Sequence, residues 1–362
     1  MAASLGGAVH WSAKLAKEAA LILKSKVEEE DAMATAEHFD GQLFFNPWAP
    51  HDVKVGDFLK WQLNGQRVSW PKAVPNRATP ELAKDLSPGE LVVTFINHAT
   101  FLIQLPDCNI VTDPVWSQRV SPVTWAGPKR VRPPGLAFDK LPPVHLVLVS
   151  HNHYDHLDRA TIGDLAAHHK PRFFVADGDG PRLRQWGIRD VAELDWWDAV
   201  TIREDLSIHY VPAQHWSSRS TLDRNRSLWG GFVIRYRGRS LYFAGDTGYG
   251  PHFAWIAKRF APIDLAFLPI GAYEPRWFMS YHHMNPDDAL KAHLDLGARR
   301  SVGMHFGCWQ LTDEGINQPV VDLEQAMKAR GVSRDAFWVP EVGASYRLRV
   351  DEAAVGQVKT TG

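Results

Sequence analysis

The run His151-Asn152-His153-Tyr154-Asp155-His156 sets three imidazoles and a carboxylate within six consecutive residues. Side chains two apart on an extended chain project to the same side, so His151 and His153 can grip one ion. Asp155 and His156, beyond the bend, face a second. Imidazole and carboxylate together suit borderline-soft zinc, and the spacing reads as half of a two-metal site. The flanks say where such a loop must sit. Val144 to Ser150 (VHLVLVS) is a short apolar run rich in β-branched residues, expected as a buried strand, and LDRATIGDLAAHH (157–169) follows as a helix.

Two ions need more donors than one loop holds, and the chain offers them at the ends of three later apolar runs. LSIHYVPAQHW (206–216) alternates as a strand and leads to His215, SLYFAGDTG (240–248) leads to Asp246, and RRSVGMHFG (299–307) leads to His305. This reading assigns His151, His153 and His215 to one zinc, Asp155, His156 and His305 to the other, and the Asp246 carboxylate to a bridge. Each ion then keeps a position for water, the mark of a catalytic rather than a structural site. A structural zinc would call for cysteines, and the chain has only Cys108 and Cys308. Cys308 closely follows His305 but reads as a buried inert thiol. Metal-bound imidazoles donate their second N–H to a carboxylate or carbonyl. Asp113, which ends NIVTD at the TDPVW corner, is the expected partner, with His98 of INHAT beside it.

At these residues the chain resembles the metallo-β-lactamase-fold hydrolases, whose signature is an HxHxDH loop followed by a distant His, Asp and His. A closer resemblance is to N-acylphosphatidylethanolamine-hydrolysing phospholipase D. It is carried by HNHYDHLD, PAQHW, FAGDTGY and especially LPIGAYEPRWFMSYHH (268–283), and it extends from FFNPW (44–48) through INHATFLI, TDPVW, GPKRVRPP and ELDWWD to FWVPEVG. The resemblance implies an α/β fold, a four-layer αββα sandwich with the dinuclear site at one edge. It divides the chain into a variable segment 1–43, a hydrolase domain 44–350 and a tail 351–362. Asp113 stands where the wider fold places an acidic residue near its metals.

Two zinc ions about 3.5 Å apart lower the pKa of a shared water towards neutrality, so a bridging hydroxide is the expected nucleophile, with Asp155 orienting it. Attack on a phosphodiester expels an alkoxide, which needs a proton from an acid not bound to metal. His283 is the candidate. It precedes Asn285, expected to cap a helix opening with Pro286, Asp287 and Asp288, and it matches a histidine of the phospholipase motif. Tyr273, Arg276 and Arg219 are candidate phosphate contacts, and Trp216, Trp277 and Trp309, each near a ligand or the motif, candidate walls of an acyl groove. The resemblance implies hydrolysis of N-acylphosphatidylethanolamine to N-acylethanolamine and phosphatidic acid. A lactonase or small-ester metallo-hydrolase of the same fold is the alternative, and a non-catalytic lipid-binding protein a third reading, disfavoured because no ligand is missing.

Composition bounds the partners. A net charge of -1 over 362 residues gives no global field to attract nucleic acid, and no basic stripe or nucleic-acid module appears. Two cysteines exclude a disulfide framework, and neither a long apolar span nor a signal peptide is evident, so the expected location is the cytoplasm or a membrane surface. A dimer is compatible with the chain. HWSAKLAKEAALILKSK (10–26) sets Trp11, Leu15, Ala19, Ile22 and Leu23 at near-helical spacing with Lys14, Lys17, Lys24 and Lys26 as a basic side. Such a helix can lie on a membrane or dock on its own protein. Deleting residues 1 to 30 is expected to weaken binding to anionic vesicles more than hydrolysis of a short soluble substrate. Unchanged vesicle binding with a sharply lowered melting temperature would make the stretch a packing element instead.

Overall fold

The apolar runs flanking the predicted ligands become strands, and the strands form two sheets. A computed structural model describes residues 37–50 and 55–349. The stretch 10–26 and the tail 351–362 lie outside the described residues. After a first helix, α1 (Val55–Asn64), the first sheet takes β1 (Glu90–Asn97), β2 (Thr100–Leu105), β3 (Cys108–Thr112), β4 (Leu146–Leu148), β5 (Arg172–Ala176) and β6 (Val191–Leu194). The second takes β7 (Ala199–Arg203), β8 (Leu206–Pro212), β9 (Gly230–Tyr236), β10 (Arg239–Phe243), β11 (Ile263–Pro269), β12 (Ser301–Met304) and β13 (Phe337–Trp338). The chain then returns to the first sheet as β14 (Ser345–Arg349), so the orders are β14-β1-β2-β3-β4-β5-β6 and β13-β12-β11-β10-β9-β8-β7.

Both sheets change character at the same point. β14, β1, β2 and β3 pair antiparallel, and β3 to β6 parallel. In the second sheet β7 to β10 pair antiparallel, and β10 to β13 parallel. Parallel neighbours need crossovers, and these carry most of the helices. α2 (Arg159–His168) and α3 (Gly180–Gln185) serve the first sheet. α4 (His252–Phe260), the short α5 (Arg276–Met279), α6 (Pro286–Asp295) and α7 (Gln318–Arg330) follow in the second, where α4 and α7 contact α6 and α6 contacts β11.

Strands covered on both faces must be apolar or have their polar groups paired: β2 and β4 are buried at every position, and within β2 Thr100 donates to Asp113 O at 2.6 Å and Gln104 accepts from Ala83 N at 2.9 Å. Between the sheets lie Phe95, Phe101, Tyr210, Phe232, Phe243 and Phe267, all with no exposed surface; Phe101 sits 4.9 Å from Phe95 and 4.7 Å from Phe267, ring centre to ring centre. A separate apolar layer of Val147, Val149, Phe173 and Val175 lies under Ile162, Leu165 and Leu183 of α2 and α3. The result is the expected α/β architecture, helices outside and two sheets within. The segment before residue 44 is not detached in its described part, since His38 stacks on Trp196 at 4.3 Å.

The ligand-bearing strands run shorter than their apolar patterns. β4 stops at Leu148, β10 at Phe243 and β12 at Met304, each one to three residues before its first candidate donor. Releasing the chain from the ladder lets donors turn inward at the carboxyl ends of the strands. The predicted cap is present: Asn285 accepts from Asp288 N at 2.8 Å in a capping box, which fixes the start of α6 just beyond His283.

Candidate metal centre

All seven predicted ligands converge at the carboxyl ends of β4, β8, β10 and β12. His151 Nε2 stands 2.9 Å from His153 Nδ1, which stands 3.2 Å from His215 Nε2. Asp246 Oδ2 lies 3.1 Å from His156 Nε2, 3.0 Å from His305 Nε2 and 3.9 Å from His215 Nε2, between the two sets. Asp155 Oδ2 is 3.3 Å from His305 Nε2 and 3.5 Å from His156 Nε2. Metal–nitrogen bonds of about 2.0–2.1 Å in a tetrahedron put donors about 3.3 Å apart, so these separations suit ligand edges. Hydrogen bonding does not account for the cluster: His156 Nε2, His305 Nε2 and Asp246 Oδ1 are buried without a hydrogen-bond partner, the two imidazoles being only ion-paired with Asp246 Oδ2. A metal ion would satisfy lone pairs of this kind, so the residues present fit the group.

The second ring nitrogens fix which atom faces inward. His156 Nδ1 donates to Asp113 Oδ2 at 2.6 Å, leaving Nε2 for the centre. Asp113 also accepts from Ser150 N and Ser150 Oγ, both at 2.7 Å, and Ser150 Oγ lies 2.9 Å from His151 Nδ1. One buried carboxylate thus orients two imidazoles, one directly and one through a hydroxyl. His215 Nδ1 donates to the carbonyl of His282 at 2.9 Å. His98, expected beside Asp113, instead places Nε2 3.0 Å from Asp155 Oδ2, close to the donors themselves. Ser150 and the His282 carbonyl escaped sequence reasoning. A hydroxyl just before His151 was the available signal for the first, and a backbone oxygen leaves none.

Left-handed backbone marks the same places. His98, Asp113 and His305 have φ of 46°, 32° and 62°, a conformation that costs a non-glycine residue about 1–3 kcal/mol. Their neighbours hold them there: His305 N donates to His98 O at 2.8 Å, and Asp113 N to Leu148 O at 2.8 Å. Glycine is required at Gly245, beside Asp246, where φ is 61° and a Cβ would meet Ser150 Cβ at 2.6 Å.

Electrostatically the two halves differ. Burial drives His151 and His215 far below the ordinary imidazole range and His153 to about 3, so this trio is neutral and ready to coordinate. In the other half burial is outweighed by carboxylates. Asp246, Asp155 and Asp113 hold His156 well above its usual range, and Asp246 and Asp155 push His305 up to about 9. Burial also opposes ionisation of Asp155 and Asp246, yet the neighbouring imidazoles keep both well below the usual carboxylate range. This half is a set of internal ion pairs, and a metal entering it would have to displace their protons.

His283 joins the centre from outside the seven. Its Nδ1, buried and unpartnered, lies 3.8 Å from Asp246 Oδ2, and burial pushes it down to about 4. Trp216 walls the site with its ring 4.4 Å from that of His153. The other expected substrate contacts are engaged elsewhere. Arg219 donates to the carbonyls of Asn152 and Leu157, at 2.9 and 2.6 Å, and so staples the ends of the metal loop. Arg276 pairs with Asp288 at 2.7 Å and holds the His283 carbonyl at 2.9 Å. Tyr273 donates to Asp322 at 2.5 Å. Trp309 is buried behind His98, edge to face at 5.0 Å, and exposed Trp277 lines a separate cavity of about 540 Å³ with Trp61 and Glu274. Cys308 is buried, and burial pushes its thiol up to about 12, which makes it unreactive.

The chain is similar to known proteins. The family description "Beta-lactamase superfamily domain" matches residues 108–306. N-acyl-phosphatidylethanolamine-hydrolyzing phospholipase D 1 of Caenorhabditis elegans is 39% identical over 264 residues, covering 69% of this chain and 73% of that one. The mitochondrial N-acyl-phosphatidylethanolamine-hydrolyzing phospholipase D of Saccharomyces cerevisiae is 36% identical over 240 residues, 65% of this chain and 51% of its own. Among solved structures, Igni18, a metallo hydrolase of Ignicoccus hospitalis, superposes with a TM-score of 0.54 at 21% identity, over 72% of this chain and 99% of its own, which speaks to the fold.

The carboxylate behind the imidazoles gives a direct prediction. Asp113→Asn is expected to weaken metal binding about 10- to 100-fold while the protein stays folded, because the His156 ring loses its charged acceptor. Competition with a chromogenic chelator measures this. Unaltered affinity in a folded variant would remove Asp113 from the metal-orienting network.

Proposed function

The chain belongs to the beta-lactamase superfamily, and on that premise we propose that it is a dinuclear zinc phosphodiesterase of the phospholipase D type. Its proposed substrate is N-acylphosphatidylethanolamine, cleaved to N-acylethanolamine and phosphatidic acid. The observation that carries the reading is the meeting of His283 with the donor cluster, 3.8 Å from Asp246, at the end of the 268–283 segment on which the sequence resemblance is read. The identity to two such enzymes supports the substrate.

His151, His153 and His215 would hold one zinc, Asp155, His156 and His305 the other, with Asp246 shared. Bound there, zinc supplies Lewis acidity and an acidified water. The protein's own groups do the rest. Asp155 and Asp246, held ionised, accept hydrogen bonds and orient what enters between them. His283 rests as a neutral imidazole. In this proposal the anionic phosphodiester raises its proton affinity, so that His283 takes up a proton from solvent as the substrate binds, and its Nδ1 passes that proton to the departing alkoxide, which leaves as the neutral alcohol while His283 returns to the neutral imidazole. Arg276 and the capped start of α6 hold its loop in place. Trp216 lends an apolar wall for the acyl side. No helix among the described residues is long and apolar enough to cross a membrane, so a lipid substrate would be reached by peripheral contact, for which the stretch 10–26 is the proposed element.

Turnover of N-acylated phospholipid, a soluble phosphodiester and a lactone, measured in parallel, separates this reading from a lactonase. Within it, leaving groups test His283. An N-acylethanolamine alkoxide is strongly basic and needs protonation, whereas a nitrophenolate departs unaided. His283→Ala should therefore slow the first substrate about 10²- to 10⁴-fold more than the second, with zinc content intact. Equal losses would make His283 a positioning group, and loss of zinc would make it a ligand.

A further inference from the structure

The FFNPW segment lies upstream of the span matched by the superfamily description, yet it reaches the metal centre. Its Asn46 is only 2% exposed. Asn46 Nδ2 donates to Ala213 O at 2.8 Å, and Asn46 Oδ1 accepts from His215 N at 3.2 Å. One amide therefore grips the backbone on both sides of Gln214. That grip matters because β8 ends at Pro212, whose pairing with Gly230 is the last of the ladder with β9. From Ala213 onward the chain that presents His215 has lost that strand neighbour; Trp229 Nε1 still donates to Ala213 O at 3.1 Å and Thr247 and Gly248 hold Gln214, while Asn46 is the side chain that takes both Ala213 O and His215 N.

The same segment also holds the opposite side. Tyr281 OH donates to Ala49 O at 2.7 Å and lies 3.1 Å from Asn46 Oδ1. Trp48 Nε1 donates to Gln214 Oε1 at 3.1 Å, and Gln214 Nε2 to Tyr281 O at 3.0 Å. The loop thereby brought up, Tyr281 to His283, supplies the His282 carbonyl that accepts from His215 Nδ1 at 2.9 Å.

We infer that Asn46 is a positioning residue of the metal centre: it sets the His215 backbone and, with Tyr281, the loop that orients the His215 ring and carries His283. The chemistry demands an amide. Aspartate would set an oxygen against the Ala213 carbonyl and bury a charge, and alanine would leave the buried His215 N–H without its acceptor and the Ala213 carbonyl with Trp229 Nε1 alone, at 3.1 Å. Because His215 belongs to one half of the centre only, the effect should be lopsided.

The test uses the full chain loaded with zinc and follows release of each zinc equivalent to a chromogenic chelator. Asn46→Asp and Asn46→Ala are expected to release one equivalent about 10- to 100-fold faster and the other at the original rate. Tyr281→Phe should accelerate the same equivalent to a smaller degree, and it remains informative if the Asn46 variants fail to fold. Release of both ions at the original rates would overturn the inference. So would equal acceleration of both with a lowered melting temperature, since Asn46 would then serve packing alone. Zinc release does not depend on which ester or lipid is the substrate, so failure here is distinguishable from failure of the proposed activity.

Discussion

Five imidazoles and two carboxylates converge in a nearly dry space, a donor set that a cation would satisfy, and holding them together is the constraint on which the rest of the structure depends. His151, His156, His215, Asp246 and His305 are each no more than 2% exposed. A buried polar atom without a partner costs about 1–3 kcal/mol, so several of them pointing inward would be hard to retain for stability alone. Ion pairing relieves one half of the centre, where His156 and His305 face Asp155 and Asp246. The imidazole trio opposite has no such relief, and bound metal would relieve both.

Around that constraint the fold places rigid support. Strand ends deliver the donors, and the sheets behind them are filled with aromatic rings that leave the strands little freedom. The left-handed residues His98, Asp113 and His305 sit at the centre's edge, where the hydrogen bonds of neighbouring loops hold them. Asp113 shows how the layers connect. Its carboxylate ends a buried strand, fixes His156 directly and reaches His151 through Ser150. A change in strand packing there would be transmitted to both halves.

The convergence of the donors was legible in the sequence because their chemistry is concentrated: His151 to His156 lie within one loop, and His215, Asp246 and His305 each follow an apolar run. Strand existence was legible for the same reason, and strand ends were not, since leaving the ladder depends on partners such as Asn46, 169 residues from His215 along the chain. Arg219 and Arg276 invited a phosphate-binding role by their charge. Their partners turned out to be carbonyls and a carboxylate of the protein, and a long flexible side chain takes its direction from tertiary neighbours that sequence order conceals. The pairing of the His215 ring with the His282 carbonyl was invisible because any residue type provides that oxygen.

The central claim is that the converging donors form two adjoining metal sites sharing Asp246. Anomalous diffraction at the zinc absorption edge from crystals of the zinc-loaded protein tests it most directly. The account predicts two peaks, one enclosed by His151 Nε2, His153 Nδ1 and His215 Nε2, the other by Asp155, His156 and His305, with the Asp246 carboxylate between them. A single peak, or an ion held by His283 in place of Asp246, would contradict it.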